Sequence, residues 1–397
     1  MITAILLLVA AVVQFVYLNG FIFAGGAERR MTDTEKGVTY DFDAGAAFYS
    51  HDSRFFYFCT RDGMKYVSSN GETRWQEMFN LTKPLMDARG DMVAVGEHKG
   101  RHIYLFDDKG LLYSVPFEDP VLYFSVSPAG YLTVILQLDR GYDIRVYGRR
   151  DGGALLYQNI SRDTLLLPTA ADVSEDGRYV AIAWLDINLR MNARATFYYL
   201  NEQDALRWPT EDGLFASEDD HPGQIIYHIK FMDDNNALVV SDTQIACYQP
   251  GDDNTLRQQW VIPLHNRIDL LTFYKGSRFA FITGNKLLND ENASEPGEVN
   301  IYDVAGRRTG GFSLGRRGTY LSMGHNALIA GADRSFYALS HLGGLLWEYI
   351  AIQDTRAVIF LDNTDTALMA GGDRAAVLKR ARPKASAAPA EIVLEEP

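Results

Sequence analysis

HIYLFDDKGLLYSV, residues 102–115, is the stretch on which the fold turns. Alternating apolar residues run into an aromatic at Phe106, Asp107 to Gly110 supply turn chemistry, and a second strand returns through Leu111, Leu112 and Tyr113. Period-2 alternation bounded by Asp and Gly reads as a pair of β-strands. The unit recurs as DIRVYGRRDGGALLYQ (143–158), EVNIYDVAGRRTGGFSL (298–314) and SFYALSHLGGLLWEY (335–349). Weaker copies are MKYVSSNGETRWQEM (64–78), ATFYYLN (195–201), IACYQPGDD (245–253) and AAVLKRA (375–381). Taking one equivalent position per copy gives Val67, Phe106, Tyr147, Tyr199, Tyr248, Tyr302, Leu339 and Leu378, spaced by 39, 41, 52, 49, 54, 37 and 39 residues. A period of 40–50 with several strands per unit is the signature of a propeller blade.

Working outward, several copies are preceded by another strand pair: FSVSPAGYLTVIL (124–136), ADVSEDGRYVAIAW (171–184) and IKFMDDNNALVV (229–240). Turns such as Ser174-Glu175-Asp176-Gly177 have the residues a short reversal needs. Four strands per unit and eight units predict an all-β, eight-bladed β-propeller, with seven blades as the alternative, over residues 37–382. The last unit supplies three strands and stops, while VTYDF (38–42) has no blade of its own. Pairing VTYDF beside 375–379 as the outer strand of blade eight closes the ring and removes an open edge.

The ends read differently. Residues 1–27 carry no charged side chain, and ILLLVAAVV (5–13) continues through Phe15, Val16, Tyr17, Phe21, Ile22 and Phe23. About 20 apolar residues span a bilayer as a helix, so this segment is expected to be a transmembrane anchor. A cleaved signal is the rival, because Gly25, Gly26 and Ala27 are small enough for a peptidase. Arg29 and Arg30 follow the span; by charge alone they would put the C-terminal side in the cytoplasm, and the orientation stays open. Residues 28–36 are expected to be a linker. The Ala- and Pro-rich tail 383–397 is expected to be disordered.

The outer-strand string xGLL[WY], at Gly110 to Tyr113 and Gly344 to Trp347, resembles WD40-like and quinoprotein-like blades. With TRWQEMFN (73–80), GRHIYLFDDKG (100–110), ADVSEDGRYVAIAW and TFYYLN, residues 1–380 resemble a Gram-positive bacterial family: one N-terminal span followed by an extracytoplasmic propeller, a domain of unknown function. The resemblance implies a cell-membrane protein whose propeller lies outside the cytoplasm. The family carries basic residues ahead of its span, and this chain does not.

A net charge of −13 argues against a nucleic-acid or anionic-membrane surface, where each phosphate contact wants a cation. Two cysteines, Cys59 and Cys247, exclude a disulfide scaffold and a four-cysteine zinc site. Both lie in strand strings and are expected to be buried, inert thiols. Gly311-Phe312-Ser313-Leu314-Gly315 matches the GxSxG nucleophile elbow, but that motif requires a strand-to-helix turn and this one lies in an outer strand. His98 and His102 have a ligand-like spacing but sit at a loop edge. A quinone-dependent dehydrogenase would, by resemblance, want vicinal cysteines, which are absent. The acidic runs 218–221 and 289–292 lack the alternate-residue spacing of a calcium loop. No catalytic set, metal site or cofactor is expected.

The expected function is therefore a membrane-tethered, non-enzymatic binding or scaffold module at the cell envelope. Its partner would be a protein, peptide or glycan. An envelope enzyme using the channel, quinone-dependent or hydrolytic, is the alternative. The long spacings place insertions at 185–193, 208–223 and 285–297, read as loops projecting from one face over blades four to six. The residues expected to bind are Asp186, Arg190, Trp208, Phe215, Asp219, Asp220, His221, Asp290 and Glu291. Apolar pairs accompany them: Ile187 with Leu189, Leu214 with Phe215, and Leu287 with Leu288.

Overall fold

The structure is a computed structural model that describes residues 31–39, 46–149, 152–188, 191–200, 215–232, 235–251, 255–287, 292, 294–371 and 374–380. Eight four-stranded antiparallel sheets follow one another around a ring. Seven of them are consecutive in sequence, spanning 47–78, 85–116, 121–161, 166–222, 226–263, 266–313 and 320–350. The eighth takes Thr355–Asn363, Thr366–Gly371 and Arg374–Arg380 and borrows Met31–Thr39 as its outer strand. The eight positions that defined the repeat all fall in the third strand of their blade.

Each blade buries both faces of its sheet, and the molecule has no single core. Among the described residues the buried apolar side chains form eight clusters, each shared by two neighbouring blades. Second strands sit in the middle of these stacks. Met92–Gly96, Ala237–Ser241 and Ala327–Ala332 are buried at every residue. A strand covered on both faces reads as a continuous apolar run, not an alternating one. Outer strands touch a neighbour on one face only, and Thr73–Met78 alternates accordingly.

The tryptophans of three outer strands have a specific task. Trp75 Nε1 donates to Asp108 O (3.1 Å), Trp260 Nε1 to Val304 O (3.0 Å) and Trp347 Nε1 to Thr364 O (2.6 Å), each in the next blade. The indole of Trp260 lies so close over Gly306 (φ 74°) that a Cβ there would fall 2.5 Å from the ring. Glycine serves both needs, a left-handed turn and a flat landing for the indole. In blades one to seven the register of the outer pair shifts once, near the repeat position, as between Cys247 and Tyr248. Such bulges raise the local twist that a blade needs.

Ring closure matches the expectation and extends it. The outer strand comes from the expected end of the chain, but of VTYDF only Val38 and Thr39 are among its described residues, paired with Ala375 and Arg374, and residues 40–42 lie outside the described residues. The strand begins at Met31, inside the stretch expected to be a linker. Packing repeats the closure: Phe56, Phe58 and Val67 of blade one share a cluster with Ile359, Leu361 and Val377 of blade eight. The expected transmembrane segment 1–27 and the tail 383–397 lie outside the described residues. Among the described residues no helix is long and apolar enough to cross a membrane.

One expectation is overturned by topology. Residues 208–223 were expected to form a loop between blades four and five. Phe215–Pro222 is instead the fourth strand of blade four, paired antiparallel with Asn192–Tyr199. Its sequence FASEDDHP shows no apolar alternation, because an outer strand in this ring needs little apolar surface. The connection 200–214 therefore joins third and fourth strands. It leaves from the opposite face to the connections 187–191 and 287–297, which join second and third strands. The three insertions do not share a face.

Candidate functional site

Eight first strands line the axis, each hydrogen-bonded to a neighbour on one side only. They enclose a channel with a cavity of about 870 Å³, lined by residues of the first strands and of the turns that follow them. One end of this channel, where first strands turn into second strands, is rich in charge.

Four adjacent blades meet there in one buried polar network. Asp172 of blade four accepts from Ser125 Oγ of blade three (2.8 Å), Phe231 N of blade five (2.8 Å) and Arg89 Nη1 of blade two (2.9 Å). Lys230 of blade five donates to Ser125 Oγ (2.8 Å) and lies 3.4 Å from Asp87 Oδ2 of blade two. Asp87 also accepts from Val126 N (2.7 Å). Asp172 is 1% exposed and Lys230 7%, so these charges persist only because each is matched by an opposite one. Ser125, Asp172 and Lys230 occupy the penultimate position of the first strand in three successive blades. His228, two residues before Lys230, is held below the usual histidine range by burial and then by the Lys230 charge, against the pull of Asp87.

A second cluster closes the other side of the same mouth. Asp52, in the first turn of blade one, accepts from Lys275 Nζ (2.6 Å) and Tyr274 Oη (3.1 Å) of blade six and from His325 N (2.7 Å) of blade seven. Burial raises the Asp52 carboxyl, but the Lys275 hydrogen bond, the His325 amide and both neighbouring charges outweigh it, so its pKa lies below the usual range. Asp52 (φ 46°), Lys275 (φ 44°), His325 (φ 50°) and Asn326 (φ 56°) all hold left-handed backbone here. Each costs of order 1–3 kcal/mol, which the surrounding contacts must outweigh. Chemically, the mouth is a brace: charges from different blades neutralise one another across the ring.

The residues expected to bind are dispersed. Asp186 ends the second strand of blade four, and its carboxylate accepts from Asn188 N (2.9 Å). Phe215, Asp219, Asp220 and His221 stand on the outer strand of blade four. Asp220 pairs with Arg194 Nε (2.9 Å) on the adjacent strand. His221, expected on an open loop, is 2% exposed, its ring 3.4 Å from Tyr248 Oη and Gln244 Nε2 of blade five. It packs one blade on the next. Arg190, Trp208, Asp290 and Glu291 lie outside the described residues. Ser313 of the GxSxG string lies on the outer strand of blade six and accepts from Gly315 N. Cys59 and Cys247 are both fully buried and unbridged, and burial pushes the Cys247 thiol up to about 12. His98 and His102 are both exposed, the latter stacked on Tyr104.

Sequence reading missed the channel network. Its signal was available: FSV, ADV and IKF are equivalent strand ends, each with one polar residue at the same place.

The surface offers one more feature. On the face opposite the charged mouth, Leu165 (42% exposed), Ile187 (42%) and Met191 (54%) stand together at the edge of blade four, with Ile160 (45%) at the end of the preceding outer strand. Ile187 N donates to Leu165 O (2.9 Å), and Gly223 N to Met191 O (3.0 Å), so the backbone beneath this group is ordered.

The profile of the Family of unknown function (DUF5711) matches residues 29–378. The chain belongs to that family. No curated protein matches the chain. Among solved structures, Sqt1 from Chaetomium thermophilum is similar with a TM-score of 0.56 at 10% identity, over 87% of this chain and 99% of that one. BamB from Moraxella catarrhalis gives 0.49 at 13%, over 88% and 99%. The Cps50 (Swd1) β-propeller domain from Myceliophteria thermophila gives 0.47 at 11%, over 88% and 99%. At such identities the likeness is one of fold.

Proposed function

We propose that this protein is a membrane-tethered, non-enzymatic β-propeller that binds another protein through the face carrying its second-to-third connections. The observation that carries the reading is the exposed apolar group Leu165, Ile187 and Met191. Contiguous exposed apolar side chains on an ordered backbone mark an interaction surface more often than a solvated one. Asp163 and Asp186 precede Leu165 and Ile187 closely in the chain, and the whole chain carries −13. A partner surface with apolar side chains rimmed by basic residues would complement it and be steered toward it. Asp186 and Arg190, expected from the sequence to bind, belong to this same connection. The channel charges support the non-enzymatic half of the reading, because they are spent on one another across blades.

Site-specific photo-crosslinking in intact cells tests this. A photo-reactive residue at Ile187 should trap one defined protein, and one at Ile350, across the ring, should not. Loss of that adduct in Leu165→Ser/Met191→Ser, with the fold intact, would support the assignment. Equal trapping at both positions, or an adduct unchanged by the double substitution, would refute it.

A further inference from the structure

We propose that the central channel is a binding site for an uncharged saccharide, held between aromatic side chains by polar groups that the brace at the charged mouth leaves unused. The antiparallel registers define one tier of the channel. Tyr49, Asp87, Ser125, Lys230, Thr272 and Ser322 each pair, through a second strand, with the residue just before the repeat position of their blade. They therefore stand at one level around the ring, and all but Ser125 line the cavity. Phe273 and Phe360 line it one residue nearer the mouth, and Phe48 and Phe124 one residue further from it. A belt of polar groups thus runs between two layers of aromatic rings.

Much of the belt is already engaged. Lys230 Nζ donates to Ser125 Oγ, and Asp87 Oδ2 accepts from Val126 N and lies 3.4 Å from Lys230 Nζ. Tyr49 Oη donates to Gly90 O (2.9 Å), and the Ser322 hydroxyl is hydrogen-bonded to that of Tyr320. Among the described residues, Asp87 Oδ1, the Thr272 hydroxyl and the His228 ring make no hydrogen bond, and all three residues line the cavity. His228 is kept neutral by burial and by Lys230, so it offers one donor and one acceptor. These free groups define the ligand. Arg89, Lys230 and Lys275 already face Asp172, Asp87 and Asp52, so an ion entering the channel would have to break a pair, and an uncharged molecule need not. A hydrocarbon would leave three polar groups buried without partners. A ring bearing several hydroxyls satisfies them: it donates to Asp87 Oδ1, exchanges hydrogen bonds with His228 and Thr272, and rests its C–H faces on the aromatic layers. The cavity of about 870 Å³ falls among small-molecule sites of roughly 300–1,000 Å³, which are walled by apolar and aromatic side chains with a few placed polar groups. This site is separate from the surface of Leu165, Ile187 and Met191 and does not depend on it.

Saturation-transfer NMR on the full-length protein in lipid nanodiscs tests the assignment, with cellobiose, maltotriose and N,N′-diacetylchitobiose as probes. At least one should receive saturation from the protein. Thr272→Val and His228→Leu keep the size of their side chains and remove one hydrogen-bonding group each, so each should weaken that sugar's apparent affinity by roughly 2- to 10-fold. Ser322→Trp fills the channel and should abolish the signal, whereas Leu165→Ser/Met191→Ser should leave it unchanged. Thermal melts identify any variant that fails to fold; should Ser322→Trp do so, the two conservative substitutions decide. Absence of transfer to all three sugars would overturn the proposal, as would transfer that neither Thr272→Val nor His228→Leu weakens. Loss of the signal in Leu165→Ser/Met191→Ser would move the site to the outer surface and overturn it as well. The deacetylated diamine chitobiose tests the class: it should bind more weakly than the diacetyl sugar, and tighter binding of the diamine would overturn the assignment to an uncharged ligand.

Discussion

Replacing Asp172 by alanine should destabilise the whole ring, although the residue lies far from the proposed partner surface. The carboxylate accepts from Ser125 Oγ, Phe231 N and Arg89 Nη1, all within 2.9 Å, and sits 3.9 Å from Lys230 Nζ. Alanine removes the carboxylate from beside the Arg89 guanidinium (side chain 11% exposed) and leaves the Lys230 ammonium (side chain 9% exposed) with Asp87. Removing one partner of a buried ion pair costs roughly 3–5 kcal/mol, chiefly through the charge left behind. Unfolding entropy of roughly 2.1 cal/mol/K per residue over the roughly 350 residues from 31 to 380 converts this to a fall in Tm of about 4–7 °C. Differential scanning calorimetry of the detergent-solubilised full chain measures it. The double variant Arg89→Met/Asp172→Leu removes both members of the pair and should recover part of the loss, because replacing a buried pair costs less than breaking it. A Tm for Asp172→Ala within about 1 °C of the native protein would refute the bracing role.

Three further outcomes follow from the same geometry. Asp52→Asn keeps a side chain that tolerates positive φ but loses the Lys275 ion pair, at a cost on the order of 1 kcal/mol. Because the folded carboxyl titrates below its unfolded value near 3.9, that penalty should be complete above about pH 4 and vanish as pH falls further, read as the Tm difference across a pH series. Gly306→Ala should lower Tm by about 1–3 kcal/mol worth of stability, since a Cβ would meet the Trp260 indole and φ is 74°, and a shifted Trp emission spectrum should accompany it. Cutting residues 31–39 out of the full chain should bare the edge of Arg374–Arg380 and produce aggregates by light scattering; a monodisperse ring of unchanged Tm would contradict the closure.

How far the fold is legible depends on which strand is read. Second and third strands, such as MVAVG and HIYLF, are covered on both sides or nearly so, and their apolar content announces them. Counting them counts the blades. Outer strands satisfy only one neighbour, so their sequence is loosely constrained. FASEDDHP passes for an acidic loop, and MTDTEK ahead of Val38 passes for a linker, because edge strands hold together by backbone pairing that leaves little trace in side-chain pattern. That one misreading moved a whole connection to the wrong face and put Phe215, Asp219, Asp220 and His221 in a loop when they stand on a strand. His221 shows the consequence: in sequence it stands in an acidic run, and in three dimensions it is wedged against Tyr248.

The candidate site was less legible for a different reason. A charge inside an apolar strand is costly unless its partner is supplied, and here the partners are separated by dozens of residues: Arg89 with Asp172, Asp52 with Lys275 and His325. No local window contains both halves. Only the repeat brings them into register, since the eightfold period stacks Ser125, Asp172 and Lys230 at one level of the channel. The periodicity that identifies the blades is therefore also the coordinate system in which the charges meet. A polar residue at the end of one first strand should prompt a search at the same position in its neighbours, where long-range partners in a ring must lie.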